Sequence, residues 1–205
     1  MVRNNKGLTL IEIMITLTII AMVAGSFLSR LETGPKKFKR ELYNFSQIAK
    51  RIKNVAKLRN ATLRLVIDMG SPDIPENKRE HKYWVEASRK RGVSVAEKYD
   101  ENKKERFSSD KKNEDPEFSP DKSIISQPRQ LPSPARFIHV EIAGFDKPIT
   151  EGKAFIYFLP QGIVDEAVIQ ISAGKESQWS LVTTPITGRL DIISGAKTLK
   201  ELEQK

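Results

Sequence analysis

The spacing of apolar residues changes along this 205-residue chain, and each change marks an element. From Leu8 to Leu28 there is no period at all: these 21 residues are almost uniformly apolar, and Glu12 is the one charge among them. A helix of that length reaches about 31 Å, the thickness of a bilayer's hydrocarbon core. From Phe38 the apolar positions Leu42, Phe45, Ile48, Ala49, Ile52, Val55 and Ala56 recur in steps of three and four. That spacing predicts an amphipathic helix, with Lys39, Arg40, Glu41, Lys50, Arg51 and Lys53 mostly on the other face. Gly34-Pro35 interrupts the pattern between the two stretches and predicts a kink in one long helix from about Leu8 to Asn60.

Beyond Asn60 the period falls to two. Ala61 to Asp68 and Lys82 to Ser88 read as strands, separated by a loop with Gly70, Pro72 and Pro75. Further strands are expected at Arg136–Ala143, Lys153–Leu159, Glu166–Ser172, Gln178–Thr184 and Arg189–Ile193. Their close spacing, with turn glycines Gly144, Gly152, Gly162, Gly174 and Gly188 between them, predicts an antiparallel meander. Residues 89–134 break the pattern. Between Glu97 and Lys122, sixteen of 26 residues are charged, with mixed sign. So few apolar side chains cannot offset ordering entropy, and a mobile surface insertion is expected. The end, residues 196–205, reads as a charged weak helix or frayed tail.

Charge and composition add exclusions. The formal charge is +9, and loss of Arg3 and Lys6 would leave +7. Five basic residues from Arg30 to Arg40 follow the apolar run, against two before it. By the positive-inside rule alone, the body would lie in the cytoplasm. The chain has no cysteine, so neither disulfides nor thiolate metal sites can form. Its two histidines, His81 and His139, are far apart and read as surface or strand residues. There is no glycine-rich phosphate loop, no His-Glu-x-x-His and no Gly-x-Ser-x-Gly. Neither an enzyme nor a cofactor is expected.

The N-terminal features fall into one register: a short leader with Arg3 and Lys6, then Gly7, the apolar Leu8, Glu12 five positions after Gly7, and an unbroken apolar run. Gly7 precedes the apolar stretch, whereas a secretory signal places its cleavage site after one. This pattern resembles the class III signal of type IV pilins and type II secretion pseudopilins, apart from Leu8 standing where phenylalanine is commoner. The resemblance implies cleavage between Gly7 and Leu8 by a prepilin peptidase and N-methylation of Leu8. It also implies that Glu12 pairs with the N-terminal amine of a neighbouring subunit. A carboxylate buried in hydrocarbon is tolerated when it has such a partner.

Implied too is an α+β, pilin-like fold: residues 8–28 as the transmembrane half of a long helix, 29–60 as its amphipathic half, and 61–195 as the antiparallel β domain. The body would lie in the periplasm, anchored in the inner membrane by a single pass, which opposes the charge count. A finer resemblance lies in Phe158-Leu159-Pro160-Gln161-Gly162, Trp179-Ser180-Leu181-Val182 and Thr184-Pro185-Ile186-Thr187-Gly188-Arg189. These look like the C-terminal region of general secretion pathway protein H, a minor pseudopilin, and of FimT-like minor pilins. Partners would be other major and minor pseudopilins and the inner-membrane secretion platform. The alternatives are a minor type IV pilin that initiates assembly or binds DNA, and a plain inner-membrane anchored protein. DNA binding calls for arginines clustered beside aromatics, and the mixed tail argues against it.

Trypsin should nick residues 89–134 before it cuts the strands, because basic residues abound there and apolar anchors are few. Survival of that stretch for as long as the strands would show that it is ordered.

Overall fold

A computed structural model describes residues 9–31, 34–75, 78–92, 117–174 and 177–203, with side chains of 25–31 and 34–37 left aside. Two helices lead: α1 (Leu10–Leu31) and α2 (Gly34–Arg59). The helical run expected over 8–28 continues to Leu31, and the second helix covers Gly34–Arg59 of the expected 29–60. The kink expected at Gly34-Pro35 falls on the first turn of α2; residues 32–33, just ahead of it, lie outside the described residues. Pro35 stands in the first turn of α2, where its missing N–H is not needed by the helix. The helix closes on Asn60, whose φ of 48° is a left-handed end that asparagine tolerates. The chain enters β1 (Ala61–Asp68) at once.

The expected single meander is replaced by two antiparallel sheets. In the first, β1 is central. It pairs with β2 (Lys82–Arg91) on one side, Leu65 opposite Val85. On the other side it pairs with β6 (Lys153–Phe158), Leu65 opposite Ile156. The short strands β3 (Phe118–Pro120) and β4 (Arg129–Gln130) both extend β2. The second sheet runs in the order β5 (Ala135–Ile142), β7 (Ala167–Ala173), β8 (Gln178–Thr183), β9 (Leu190–Ser194). A meander survives only in β7, β8 and β9. β6 leaves it because its inward residues Ala154, Ile156 and Phe158 complete the core beside β1.

That core forms on α2. Phe38, Leu42, Phe45, Ala49, Ile52 and Ala56 are buried, as their spacing requires. Phe45 lies between the sheets: its ring centroid is 4.6 Å from Tyr83 and 6.3 Å from Phe137. Cutting such a side chain back to alanine typically costs ~3–5 kcal/mol. The one acid of α2, Glu41, accepts the Tyr83 hydroxyl hydrogen bond at the edge of this cluster. Burial, followed by that carboxylate, pushes the Tyr83 phenol up.

β1 is buried on both faces. On the face away from α2, Arg64 lies between the rings of Phe118 and Phe155, at 4.1 and 4.3 Å. Its Nε donates to Glu86 Oε2 at 2.7 Å. Burial works against the guanidinium's charge, but Glu86 and Tyr157 outweigh it, and the net shift is upward.

The limits expected for the charged insertion do not hold. Residues 89–91 continue β2, and 117–134 supply β3, β4 and the buried Phe118, Ile124, Ile125 and Leu131. Residues 93–116 lie outside the described residues. The 121–125 turn is tied to α2 by Arg59, whose Nη1 lies 2.5 Å from Asp121 Oδ2, and by Arg51, which donates to the Ser123 carbonyl at 2.7 Å. Its four apolar anchors and these arginines were hidden by the surrounding charge. The tail takes the weak-helix form of the two expected, and it is tied to the sheet. Lys197 N–H donates to Ser180 Oγ at 2.8 Å, and Leu199 N–H, at the start of α3 (Leu199–Glu203), to Glu141 at 2.9 Å.

One half-buried acid gives the domain a pH signature. Asp165 sits between β6 and β7 and accepts the Tyr157 N–H at 2.9 Å. Burial, only partly offset by that hydrogen bond, raises its pKa from 3.8 to about 6. A raised folded-state value favours the protonated form. Its contribution is therefore complete below about pH 4 and is lost as pH rises through about 6. Asp165→Asn keeps the acceptor and never ionises. It should be more stable than the parent at pH 7–8, by at most ~3 kcal/mol, with the advantage vanishing below pH 4. Thermal unfolding of both proteins across pH 3–8 measures this. A constant difference would show that ionising Asp165 costs nothing.

Candidate functional site

α1 differs from every other element. Its described side chains, residues 10–24, are all exposed. Leu10, Ile11, Met14, Leu17, Ile20 and Met22 are each more than half exposed. Since they point in all directions around the axis, the helix is apolar all round, which calls for a nonaqueous or protein environment.

The described hydroxyls and N–H groups at the start of α1 find partners within it or at its cap. Thr9 is the N-cap: its carbonyl accepts from Glu12 N–H at 3.1 Å and Ile13 N–H at 3.2 Å. Its hydroxyl oxygen accepts weakly from Glu12 N–H, at 3.4 Å. Thr-x-x-Glu is the capping-box pattern, so Glu12 occupies the position where an acid favours the helix start. Thr16 and Thr18 donate to the carbonyls of Ile13 and Met14, at 2.9 and 2.7 Å. Those hydroxyls bring no unmet hydrogen bond into an apolar setting. Among the described residues, no cation pairs with the Glu12 carboxylate.

Thr9, Glu12 and Thr16 are spaced i, i+3 and i+7 and share one helix face. Glu12, singled out from the sequence, is thus on an exposed polar stripe in the first two turns. Gly7 and Leu8, the expected cleavage junction, lie outside the described residues. The capping role of Thr9 was missed, although Thr-x-x-Glu before an apolar run was its visible signal. Among the described residues no helix is long and apolar enough to cross a membrane. The expected span Leu8–Leu28 begins outside those residues, and its last side chains are among those left aside.

Among its described residues the β domain offers no rival centre. Among the described residues no group of histidine, cysteine, aspartate and glutamate could hold a metal. His81, expected at the surface or in a strand, is instead buried just before β2, 6.1 Å from the Phe137 ring. His139 lies in β5, with Nε2 3.3 Å from Glu141 Oε1.

Residues 2–28 match the prokaryotic N-terminal methylation motif. Neither the curated proteins nor the solved structures contain a match to the chain. With a helix followed by antiparallel sheets, the motif supports the type IV pilin-like superfamily. The motif is of the kind that indicates pilin-like and pseudopilin proteins. It also implies processing by a prepilin peptidase and suggests membrane anchoring.

Proposed function

We propose that this chain is a minor pseudopilin, a subunit near the tip of the periplasmic pseudopilus of a type II secretion system. In this role the prepilin peptidase cuts between Gly7 and Leu8, and the new amine of Leu8 is methylated. The body lies in the periplasm and α1 in the inner membrane until assembly. The filament would bring in other pseudopilins and the inner-membrane platform. The observation that carries the proposal is Glu12: a carboxylate without a described cation partner, on an exposed and otherwise apolar helix, within the methylation motif.

The mechanism follows from desolvation. An unpaired carboxylate in hydrocarbon costs ~2.5 kcal/mol or more. A neighbour's N-terminal ammonium offsets that cost in one axial register and in no slipped one. The polar stripe Thr9–Glu12–Thr16 faces the neighbour, and the self-bonded threonines add no competing donor.

Two outcomes are expected. Intact mass of the protein from membranes should show loss of residues 1–7 and gain of one methyl group. Recovery of only the full-length chain beside an active prepilin peptidase would refute the processing step. Glu12→Ala should leave the β domain folded and cleavage largely intact but abolish assembly, while Glu12→Gln keeps the shape without the charge. Cross-linking of single-cysteine variants between neighbouring helices, with a secretion assay, reads the result. A subunit that caps the tip has no neighbour above it and should show a partial defect. Normal cross-links and secretion in Glu12→Ala would eliminate the pairing.

A further inference from the structure

The outward face of α2 is unusual in sign. The helix carries nine basic residues and one acid. Three of the bases serve the fold: Arg51 and Arg59 tie down the 121–125 turn, and Lys53 donates to the Ile186 carbonyl at 2.8 Å. The acid, Glu41, is turned to Tyr83. Lys36 and Lys37 have side chains outside the described ones; the other four, Lys39, Arg40, Lys50 and Lys57, are all exposed and none is ion-paired to a described residue. Lys39, Tyr43, Lys50 and Lys57 fall on one stripe, about 27 Å long at helical rise. A solvated helix face usually mixes charge signs; this one does not.

We infer that this face of α2 docks on anionic lipid headgroups of the same bilayer that α1 enters. Charge complementarity favours a negatively charged leaflet, where each basic residue contributes roughly a fivefold preference. Continuity favours the membrane over a diffusing acidic protein, because α2 starts three residues after α1 ends. The surface is therefore supplied at high effective concentration. Tyr43 and Leu58, 61% and 84% exposed, are an aromatic and an aliphatic side chain of the kind that settles at a headgroup boundary. Pro35 has no N–H to donate back to Leu31, so the helical ladder does not force α2 to continue the direction of α1. The docked state places the unassembled subunit flat on its membrane. This inference rests on the anchoring of α1 and not on filament assembly.

The chain has no cysteine, so a fluorophore on Asn54→Cys reports this face alone. The full chain is reconstituted in vesicles of phosphatidylcholine, or of phosphatidylcholine with phosphatidylglycerol, each carrying headgroup nitroxide lipid. The label should be quenched in the anionic vesicles and far less in neutral ones. Quenching should be lost at 1 M salt, where the screening length falls to about 3 Å. Lys50→Gln with Lys57→Gln should lower the docked-to-free ratio about 25-fold, while the equally charged control Lys147→Gln with Lys200→Gln should not. A label that stays in water in anionic vesicles overturns the inference, as does an equal loss in the control. A second label at Ala21→Cys, with nitroxide deep in the acyl chains, reports insertion. Quenching at Ala21 without quenching at Asn54 refutes docking alone. No quenching at Ala21 refutes the anchor and the docking together.

Discussion

Burial of one helical stripe holds the domain together. Phe38, Leu42, Phe45, Ala49, Ile52 and Ala56 are the surface on which two otherwise separate sheets meet. β1 and β6 approach α2 from one sheet and β9 from the other. Each large apolar side chain buried there contributes ~1.5–3 kcal/mol relative to exposure. The pairing of β6 with β1, far away in sequence, is a consequence: only there do Ile156 and Phe158 reach the helix. The division of labour around α2 follows too. The inward third is apolar, the flanks carry arginines and a lysine that pin loops, and the rest is basic and open to solvent.

α1 answers to a different constraint. Its apolar residues find nothing to cover them among the described residues, and the hydroxyls of Thr16 and Thr18 are turned onto its own carbonyls. A helix built that way loses little by entering hydrocarbon, since no hydrogen bond has to be given up. Glu12 is the exception, and its position at the capped first turn lets one side chain serve two ends: it favours the helix start in any environment and calls for a cation in an apolar one.

Much of this was legible in the sequence, and the failures have common causes. The strand over Ala61–Asp68 was read with its boundaries correct, because it follows a helix end and its residues, Arg64 and Asp68 apart, are β-branched or apolar. The amphipathic helix was legible from Phe38 to Ala56 because its spacing is regular. Period two marks a strand but not its partner, so the departure of β6 to the other sheet could not be seen. The charge run around Glu97–Lys122 masked Phe118, whose ring covers Arg64, and the anchors beyond it. His81 gave no sign of burial, since its surroundings come from distant segments. At the N-terminus Glu12 stood out as a charge in an apolar run, while Thr9 passed as an ordinary polar residue until the cap geometry gave it a role.

The last hairpin carries a consequence for how this fold tolerates change. Gly188 has φ +60°, and a Cβ there would come 2.4 Å from Lys53 Cδ. The lysine stem occupies the space that any other residue at 188 would need, while its ammonium holds the Ile186 carbonyl. The two positions are therefore a matched pair, like a key and the notch cut for it. Any other residue at 188 is strained at that φ whatever the space, and it would also have to push the Lys53 stem aside, and with it the bond to Ile186. Sequence drift in the loop is thus coupled to a helix more than 130 residues earlier, and neither site can be varied as though it were a free surface position.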